Sequence, residues 1–212
     1  MKNFIPFILS FLIISCDKSY NPAVVSARKE ASDIGVEIMK NGGNAFDAMV
    51  AVHLALAVTY PIAGNIGGGG FVVYHTSEGE SGSLDFREKA PGKAFKDMYL
   101  DKNGDIIENM STLGGAAVGV PGSISGIFEI HSKFGSLPIK DLFQPSIDLA
   151  KNGFIVTKKQ EEALKDKLQD FINVNGNESL FSQNYKQGDT LKNLNLSITL
   201  DKISKNGPKA FY

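Results

Sequence analysis

The chain has 212 residues, of which 42% are hydrophobic and 21% are charged, a composition typical of a globular protein with a substantial core. Lysine and arginine together number 22 and aspartate and glutamate 23, so no excess of positive charge is available to attract nucleic acid or anionic lipid. The three histidines are separated in sequence and there is one cysteine, so no Cys/His cluster has the spacing of a zinc site. Nucleic-acid binding and metal-dependent chemistry are therefore disfavoured.

The first residues predict an export signal. Lys2 carries a positive charge, residues 4–14 are apolar but too few for a stable membrane span, and the small Ser15 precedes Cys16. The order Ile-Ile-Ser-Cys is similar to a bacterial lipobox, in which the cysteine is acylated and becomes the first mature residue. We therefore expect a signal peptide at 1–15, a tether at 16–25, and a lipid anchor at Cys16 on the periplasmic side of the cell envelope. The alternative is a plain signal peptide with an incidental cysteine, and which membrane would hold the anchor stays open.

Two helices are predicted after the tether. Residues 26–39 place apolar or small side chains at the spacing of one helix face, and Gly42 and Gly43 then end the pattern. Asn44 is a favourable N-cap for a second helix at 45–58. Because that second helix is apolar nearly all round, we expect it to lie in the core.

Two polar residues interrupt the apolar second helix. Asp47 lies in its first turn, where a carboxylate complements the helix dipole, so a structural role is favoured over catalysis. His53 is interpreted as a buried histidine with a satisfied side chain, because no acidic residue lies one turn away to make it a base.

A glycine-rich loop leads into a predicted β-hairpin. The run Gly-Asn-Ile-Gly-Gly-Gly-Gly at 64–70 enters a β-branched and aromatic strand at 71–75. A polar turn follows at 77–82, and residues 83–87 alternate as the returning strand would. Glycine-rich loops can bind phosphate, but this one precedes a strand rather than a helix, and no Lys-Ser/Thr pair follows it. We interpret the glycines as positions where the backbone passes close to another segment or adopts a positive φ.

The second half of the chain is predicted to be mainly helical. The polar run at 101–105 resembles part of a calcium loop, but its glycine comes two positions early and the twelfth position is Thr112, so a turn is predicted. Helical patterns follow at 123–133, 141–151 and 158–171, and residues 191–205 fit a helix or a strand followed by a helix. No repeat or linker divides the chain, so residues 26–212 are expected to form one domain or part of one.

Five segments occur in an order that resembles successive motifs of the γ-glutamyltransferases, which are members of the N-terminal nucleophile hydrolase superfamily. They read KNGGNAFDAMVA, TYPIAGNIGGGGFVVY, LDFREKAP, GVPGSISG and LFQPSIDLAKNGF. One glycine-rich run would be a weak signal, whereas five motifs in register between residues 24 and 212 are specific. The chain is therefore identified as similar to the front part of the large subunit of a bacterial γ-glutamyltransferase.

This resemblance implies an α+β fold of the N-terminal nucleophile hydrolase type, a four-layer αββα sandwich of which this chain carries the N-terminal part. Family members are made as one precursor that cuts itself into a large and a small subunit and exposes a threonine. That threonine attacks a γ-glutamyl donor, usually glutathione, and forms a γ-glutamyl ester while its own α-amino group acts as base. Water, an amino acid or a peptide then accepts the γ-glutamyl group, and no metal or organic cofactor is required.

The resemblance assigns one binding residue to this chain. The family's R-E-x-A-P arginine binds the α-carboxylate of the γ-glutamyl group and corresponds to Arg87, whose guanidinium can donate two parallel hydrogen bonds to a carboxylate. Without the resemblance, Arg87 would be interpreted as a surface ion-pair partner of Asp85 or Glu88. No threonine here stands in the family's nucleophile context, so no catalytic residue is assigned. We expect a truncated large subunit, inactive alone, with the nucleophile beyond Tyr212 and the small subunit cut from the same precursor.

Two other functions stay open beside an exported γ-glutamyltransferase or glutathione hydrolase. One is a sister acylase of the same superfamily that acts on poly-γ-glutamate or on a β-lactam side chain. The other is a non-catalytic envelope lipoprotein, a truncated paralogue that binds a ligand or a partner. The missing threonine favours the lipoprotein, whereas the order of the motifs favours an enzyme.

Overall fold

The computed structural model describes residues 21–212, so the predicted signal peptide at 1–15 and the predicted lipid anchor at Cys16 lie outside the described residues. In this part of the chain, six α-helices and four strands follow one another: α1 (Lys29–Lys40), α2 (Ala45–Thr59), β1 (Phe71–His75), β2 (Ser81–Asp85), α3 (Ser123–Phe134), α4 (Ile139–Asn152), β3 (Phe154–Ile155), α5 (Lys158–Asn175), β4 (Thr190–Leu191) and α6 (Leu194–Asn206). Within residues 21–212, no helix is long and apolar enough to cross a membrane. In the same range, no three His, Cys, Asp or Glu side chains are grouped as a metal ion would require.

The first two helices lie where the sequence predicts them. α1 begins at Lys29 rather than at residue 26, because Arg28 is still in an extended conformation. A turn follows in which Gly42 takes a φ of 94°, as a glycine after a helix end often does. Asn44 then caps α2: its side chain accepts hydrogen bonds from the backbone N atoms of Phe46 and Asp47, and the Asp47 carboxylate accepts one from the backbone of Asn44.

α2 lies at the centre of the core, as its apolar sequence predicts. Val50, Ala51 and Leu54 are completely buried, and α1, α3 and α4 pack around α2 while α6 packs against α4. Full burial of one such aliphatic side chain contributes about 1.5–3 kcal/mol, so this helical core dominates the stability of the fold. The largest fully buried side chains are Phe143, Leu54, Ile124, Ile127, Ile130, Leu142, Leu200 and Ile203.

Two small antiparallel sheets complete the fold. β1 and β2 form the predicted hairpin, with Phe71 opposite Asp85 and His75 opposite Ser81. β3 pairs with β4, so the region 191–205 is a short strand followed by a helix. Helices packed with separate antiparallel strands confirm the predicted α+β class.

α5 lies on the surface and has no buried residue. Thr157 and Gln160 form a capping box at its start, and the Gln160 side chain also donates a hydrogen bond of 2.7 Å to the carbonyl oxygen of Thr59. The helix continues to Asn175, beyond the predicted end at residue 171, and stops where Gly176 takes a φ of 79°.

Candidate functional site

Arg87 lies on a bend that directly follows β2. The Oδ1 atom of Asp85 accepts a hydrogen bond of 3.0 Å from the backbone N of Arg87, which is a turn that aspartate side chains commonly form. This turn draws the chain out of the regular strand, so β2 ends at Asp85 and the prediction that it reaches residue 87 is wrong. The Asp85 carboxylate therefore binds the backbone of the bend.

Backbone hydrogen bonds hold this bend from both sides. Before Arg87, Phe86 N donates to Gly70 O at 3.0 Å and Gly70 N donates to Phe86 O at 3.4 Å. After it, Lys89 and Val120 form an isolated antiparallel bridge, with N···O distances of 3.2 and 2.8 Å. The Arg87 backbone is thus fixed at two points that lie in different parts of the sequence.

Two glycines are required by the close approach of other segments to this bend. A Cβ atom on Gly69 would lie 2.5 Å from the carbonyl oxygen of Phe86, and a Cβ atom on Gly122 would overlap the same oxygen. A larger residue at either position would push the bend away from its neighbours. None of the glycines at 67–70 has a positive φ. Of the two reasons expected for the glycine run, close backbone approach is therefore confirmed.

The glycine-rich loop is also tied to the start of α3. The carbonyl oxygen of Gly68 accepts hydrogen bonds from the backbone N atoms of Gly122 and Ser123, at 2.8 and 3.0 Å. These bonds satisfy N–H groups that the beginning of a helix leaves without partners. The loop, the bend and the start of α3 therefore form one connected unit that positions Arg87.

The Arg87 side chain projects into solvent, with 64% of its surface exposed. Its Nε atom lies 3.7 Å from Oε2 of Glu88, so the surface ion pair considered from the sequence is present, and such an exposed pair contributes little energy. The guanidinium carbon lies 5.8 Å from the centroid of the Phe71 ring, within the range of a cation–π contact. The sequence alone does not reveal Phe71, because only the register opposite Asp85 brings it near Arg87.

A cavity of about 520 Å³ opens beside Arg87. Lys89 and Glu129 also line the cavity, so its wall carries charges of both signs. The Tyr212 side chain closes one side, and its hydroxyl donates a hydrogen bond of 2.9 Å to the carbonyl oxygen of Pro121. The volume lies within the range of sites for small molecules.

No hydroxyl nucleophile of the expected kind reaches this cavity. Acyl transfer to a threonine requires its hydroxyl to lie next to the bound carbonyl group. None of the threonines of this chain lines the cavity: Thr59, Thr76, Thr112, Thr157, Thr190 and Thr199. Within residues 21–212, Arg87 therefore lines the cavity and the threonines lie outside it.

Asp47 occupies a structural position, as the sequence predicts. Its carboxylate accepts hydrogen bonds from the backbone N atoms of Asn44 at 2.9 Å and Ser136 at 3.0 Å, and from the Ser136 hydroxyl. Burial opposes ionisation of Asp47, but these hydrogen bonds outweigh it and hold the pKa of the carboxyl below its ordinary value. The charge caps α2 and binds the loop between α3 and α4.

His53 differs from its prediction in one respect. Burial lowers the pKa of His53, so the ring is neutral at pH 7. Its Nε2 atom is buried and has no hydrogen-bond partner among residues 21–212, so the expectation of a satisfied side chain is wrong. The Phe86 ring, whose centroid lies 6.1 Å from that of His53, has no group to accept or donate a hydrogen bond.

A larger cavity of about 740 Å³ lies elsewhere, between the start of α1 and α5. Its walls are mostly apolar and include Tyr60, Phe154, Leu164 and Phe181. It contains none of the residues to which the sequence assigns binding, so the Arg87 cavity is the better candidate.

Comparison with known proteins gives a consistent result. The family model described as Gamma-glutamyltranspeptidase matches residues 31–212. The glutathione hydrolase proenzyme of Pseudomonas sp. (strain A14) is 44% identical over 91% of this chain and 34% of its own length. The proenzyme of Escherichia coli (strain K12) is 41% identical, over 89% of this chain and 33% of its own length. The crystal structure of Helicobacter pylori γ-glutamyltranspeptidase has a TM-score of 0.87 at 42% identity, covering 90% of this chain and 56% of that chain.

These similarities identify the chain in two stages. The α+β architecture, shared with solved γ-glutamyltranspeptidases, is that of the N-terminal nucleophile hydrolases. Within that class, the chain belongs to the γ-glutamyltranspeptidase family, which confirms the resemblance inferred from the five motifs. The chain spans about a third of the length of the curated relatives it matches.

Proposed function

We propose that this chain forms the donor-carboxylate end of a γ-glutamyl transfer site. The donor is glutathione or another γ-glutamyl compound, and Arg87 binds its free α-carboxylate. The observation that carries the proposal is the exposed guanidinium on a bend fixed at two points beside the 520 Å³ cavity. The membership of the γ-glutamyltranspeptidase family supports the same reaction.

The chemistry follows from the shape of the two ionic groups. A guanidinium presents parallel N–H donors in one plane, so it can bind both oxygens of a carboxylate and fix the direction in which the γ-amide points. Arginine stays protonated at any working pH, so carboxylate binding does not compete with deprotonation of the side chain. Fixing the amide in this way lowers the entropic cost of bringing its carbonyl carbon to a nucleophile.

The nucleophile in this proposal is a threonine from polypeptide outside this chain. Its hydroxyl oxygen forms an ester with the γ-carbonyl carbon as the amide C–N bond breaks. Its α-amino group takes the hydroxyl proton and returns it to the departing amine. Water or the amine of an amino acid or peptide then attacks the ester and releases the threonine hydroxyl. The proenzyme relatives support a second subunit from the same precursor as the source of this threonine.

The test is to express the complete coding sequence with Arg87→Ala and Arg87→Lys and to measure kinetics with γ-glutamyl-p-nitroanilide. Loss of a charge-assisted hydrogen-bond pair should raise KM at least about tenfold in Arg87→Ala. The KM of Arg87→Lys should lie between those of the unaltered protein and Arg87→Ala, because an ammonium keeps the charge but cannot form the parallel pair of hydrogen bonds. Lys93→Ala is the matched control, since Lys93 is an exposed cation on the same loop that does not line the cavity.

A second donor makes the test specific for the carboxylate. The 4-aminobutyryl anilide has the same amide but lacks the α-carboxylate, so the unaltered enzyme should strongly prefer the γ-glutamyl compound and Arg87→Ala should lose most of that preference. Unchanged KM and kcat/KM for the γ-glutamyl donor in Arg87→Ala would refute the assignment. Preference for a poly-γ-glutamate or β-lactam substrate would instead identify a sister acylase. The absence of any hydrolysis would identify a non-catalytic binding protein.

We also place the protein at the cell envelope, on the periplasmic side, with a lipid on Cys16. The support is the sequence at the N-terminus, with Lys2, the apolar stretch and the small Ser15 before Cys16. Metabolic labelling with a radioactive fatty acid should mark the unaltered protein and not Cys16→Ser, and only the former should sediment with membranes. Equal labelling of both would contradict a lipid at Cys16.

A further inference from the structure

Phe71 is a large aromatic residue that the fold leaves in solvent. It is the first residue of β1, it pairs across the hairpin with Asp85, and 62% of its surface is exposed. Exposure of a single apolar side chain is common. The position of this one is specific, because the guanidinium carbon of Arg87 lies 5.8 Å from the centroid of its ring.

Two groups lie close to the Arg87 guanidinium: the Phe71 ring and the Glu88 carboxylate. An aromatic face attracts the flat face of the cation and leaves the in-plane N–H groups free. Glu88 instead approaches the Nε edge, at 3.7 Å, where it competes with any bound carboxylate for the same donors. A ring that contacts the guanidinium through its aromatic face can restrict the rotamers of Arg87 while leaving N–H groups free for a ligand.

We propose that Phe71 is a positioning residue for Arg87 in binding the donor α-carboxylate. This inference rests on the proposed function of Arg87 and adds a residue that acts through it. The anchoring of the hairpin supports the role: Gly70 and Phe86 exchange hydrogen bonds directly beside the pair, so the backbones that carry ring and guanidinium are held together. Ordering the side chain before the ligand arrives reduces the entropy lost on binding.

Val73 provides the matched control on the same strand. It lies two residues along β1, so its side chain projects from the same face of the hairpin as that of Phe71, and it is 85% exposed. Its aliphatic side chain has no aromatic ring, so it cannot form a cation–π contact with Arg87. If the outer face of β1 acted only as a packing surface, changes at Val73 and Phe71 would have similar consequences.

The experiment measures KM and kcat for γ-glutamyl-p-nitroanilide in the complete protein with Phe71→Leu, Phe71→Met, Phe71→Tyr and Val73→Ala. Loss of an exposed cation–π contact should raise KM about two- to fivefold in the Leu and Met variants. Phe71→Tyr keeps the ring and should retain the original KM, and Val73→Ala should do the same. An unchanged kcat in each preparation shows that the variant is folded and that the effect is on binding.

A double-mutant cycle with Arg87 tests whether the ring acts through the guanidinium. In the Arg87→Ala background, Phe71→Leu should have no further effect on KM, because the group that it orients is gone. Equal effects of Phe71→Leu in both backgrounds, or an unchanged KM in Phe71→Leu, would overturn the inference and leave the role of Arg87 intact. An unchanged KM in Arg87→Ala would overturn both proposals, so the two failures are distinguishable.

Discussion

The carboxylate of Asp47 joins the start of α2 to the loop between α3 and α4, so its replacement by asparagine tests how strongly this link stabilises the fold. Oδ2 accepts hydrogen bonds from Asn44 N and from the Ser136 hydroxyl, and Oδ1 accepts from the backbone N atoms of Ser136 and Leu137 at 3.0 and 3.4 Å. Asparagine has the same shape but one acceptor oxygen. Its NH2 group would face donors at the position of the lost oxygen.

The hydrogen bonds of Asp47 determine how much stability Asp47→Asn should lose. A hydrogen bond to a charged group contributes about 1.5–3 kcal/mol, and a backbone donor left without a partner costs about 1–3 kcal/mol. Asp47→Asn replaces one carboxylate oxygen by an NH2 group, so the donors bound to that oxygen lose their acceptor. We therefore expect the free energy of unfolding to fall by about 3 kcal/mol at pH 7. The effect should exceed that of losing an ordinary helix cap, which is about 1 kcal/mol.

The pH dependence of this loss has a definite sign. Burial acts to raise the pKa of Asp47, but the hydrogen bonds to the carboxylate outweigh burial, so the folded-state pKa lies below the value of about 3.9 expected in the unfolded chain. Such a group contributes its full stabilisation above about pH 4 and loses it as the pH falls through the folded-state pKa. The difference between the two proteins should therefore be constant near neutrality and shrink in acid.

The assay is urea unfolding followed by far-UV circular dichroism, since the chain contains no tryptophan to serve as a fluorescent probe. Asp33→Asn is the control: the Asp33 side chain on α1 is 60% exposed and, among the residues that the structure describes, forms an ion pair only with Lys29, so its replacement should leave the unfolding midpoint unchanged. A loss below about 1 kcal/mol at pH 7 for Asp47→Asn, or a difference that grows in acid, would refute this reasoning.

Two further predictions concern residues packed against Phe86. Gly122→Ala should lower the thermal unfolding temperature, because the new Cβ would overlap the Phe86 carbonyl oxygen. Gly92→Ala is the control, because a Cβ there meets open space and should leave the unfolding temperature unchanged. Equal unfolding temperatures for the two variants would contradict this prediction. Burial lowers the pKa of His53, so the unfolded chain binds a proton more readily below about pH 6.5 and the native state loses stability there. In urea unfolding, the stability advantage of His53→Leu over the unaltered protein should therefore be larger at pH 5 than at pH 8. An equal advantage at both pH values would contradict the burial argument.

The helices could be predicted from the sequence because their signals are local. Asn44 caps α2 with its own side chain, and Gly153 ends α4 with a φ of 93°, both within a few residues of the element concerned. The apolar surface of α2 likewise indicates a buried helix without reference to any partner. Errors at these helices are confined to a few residues at their ends, where fraying and capping compete.

The site around Arg87 could be predicted only in part because its geometry depends on distant segments. The motif identifies Arg87, but the end of β2 depends on an aspartate turn, and the bend is completed by Val120 from far along the chain. The contact with Phe71 depends on the hairpin register, which the polar turn does not specify by composition alone. The prediction of a satisfied His53 side chain is wrong for the same reason, since the sequence does not show that Phe86 is its neighbour.

The start of α3 limits how this protein can be engineered for heat resistance. Gly122 is the N-cap of α3 and has no side chain to accept a hydrogen bond, and the backbone N of Ser125, which an N-cap side chain could bind, donates instead to the Tyr212 hydroxyl at 3.2 Å. A design procedure that considers helices one at a time would introduce Ser or Asp there to improve the cap. That change would place a Cβ atom on top of the Phe86 carbonyl oxygen. A substitution that stabilises other helices would therefore displace the bend that carries Arg87.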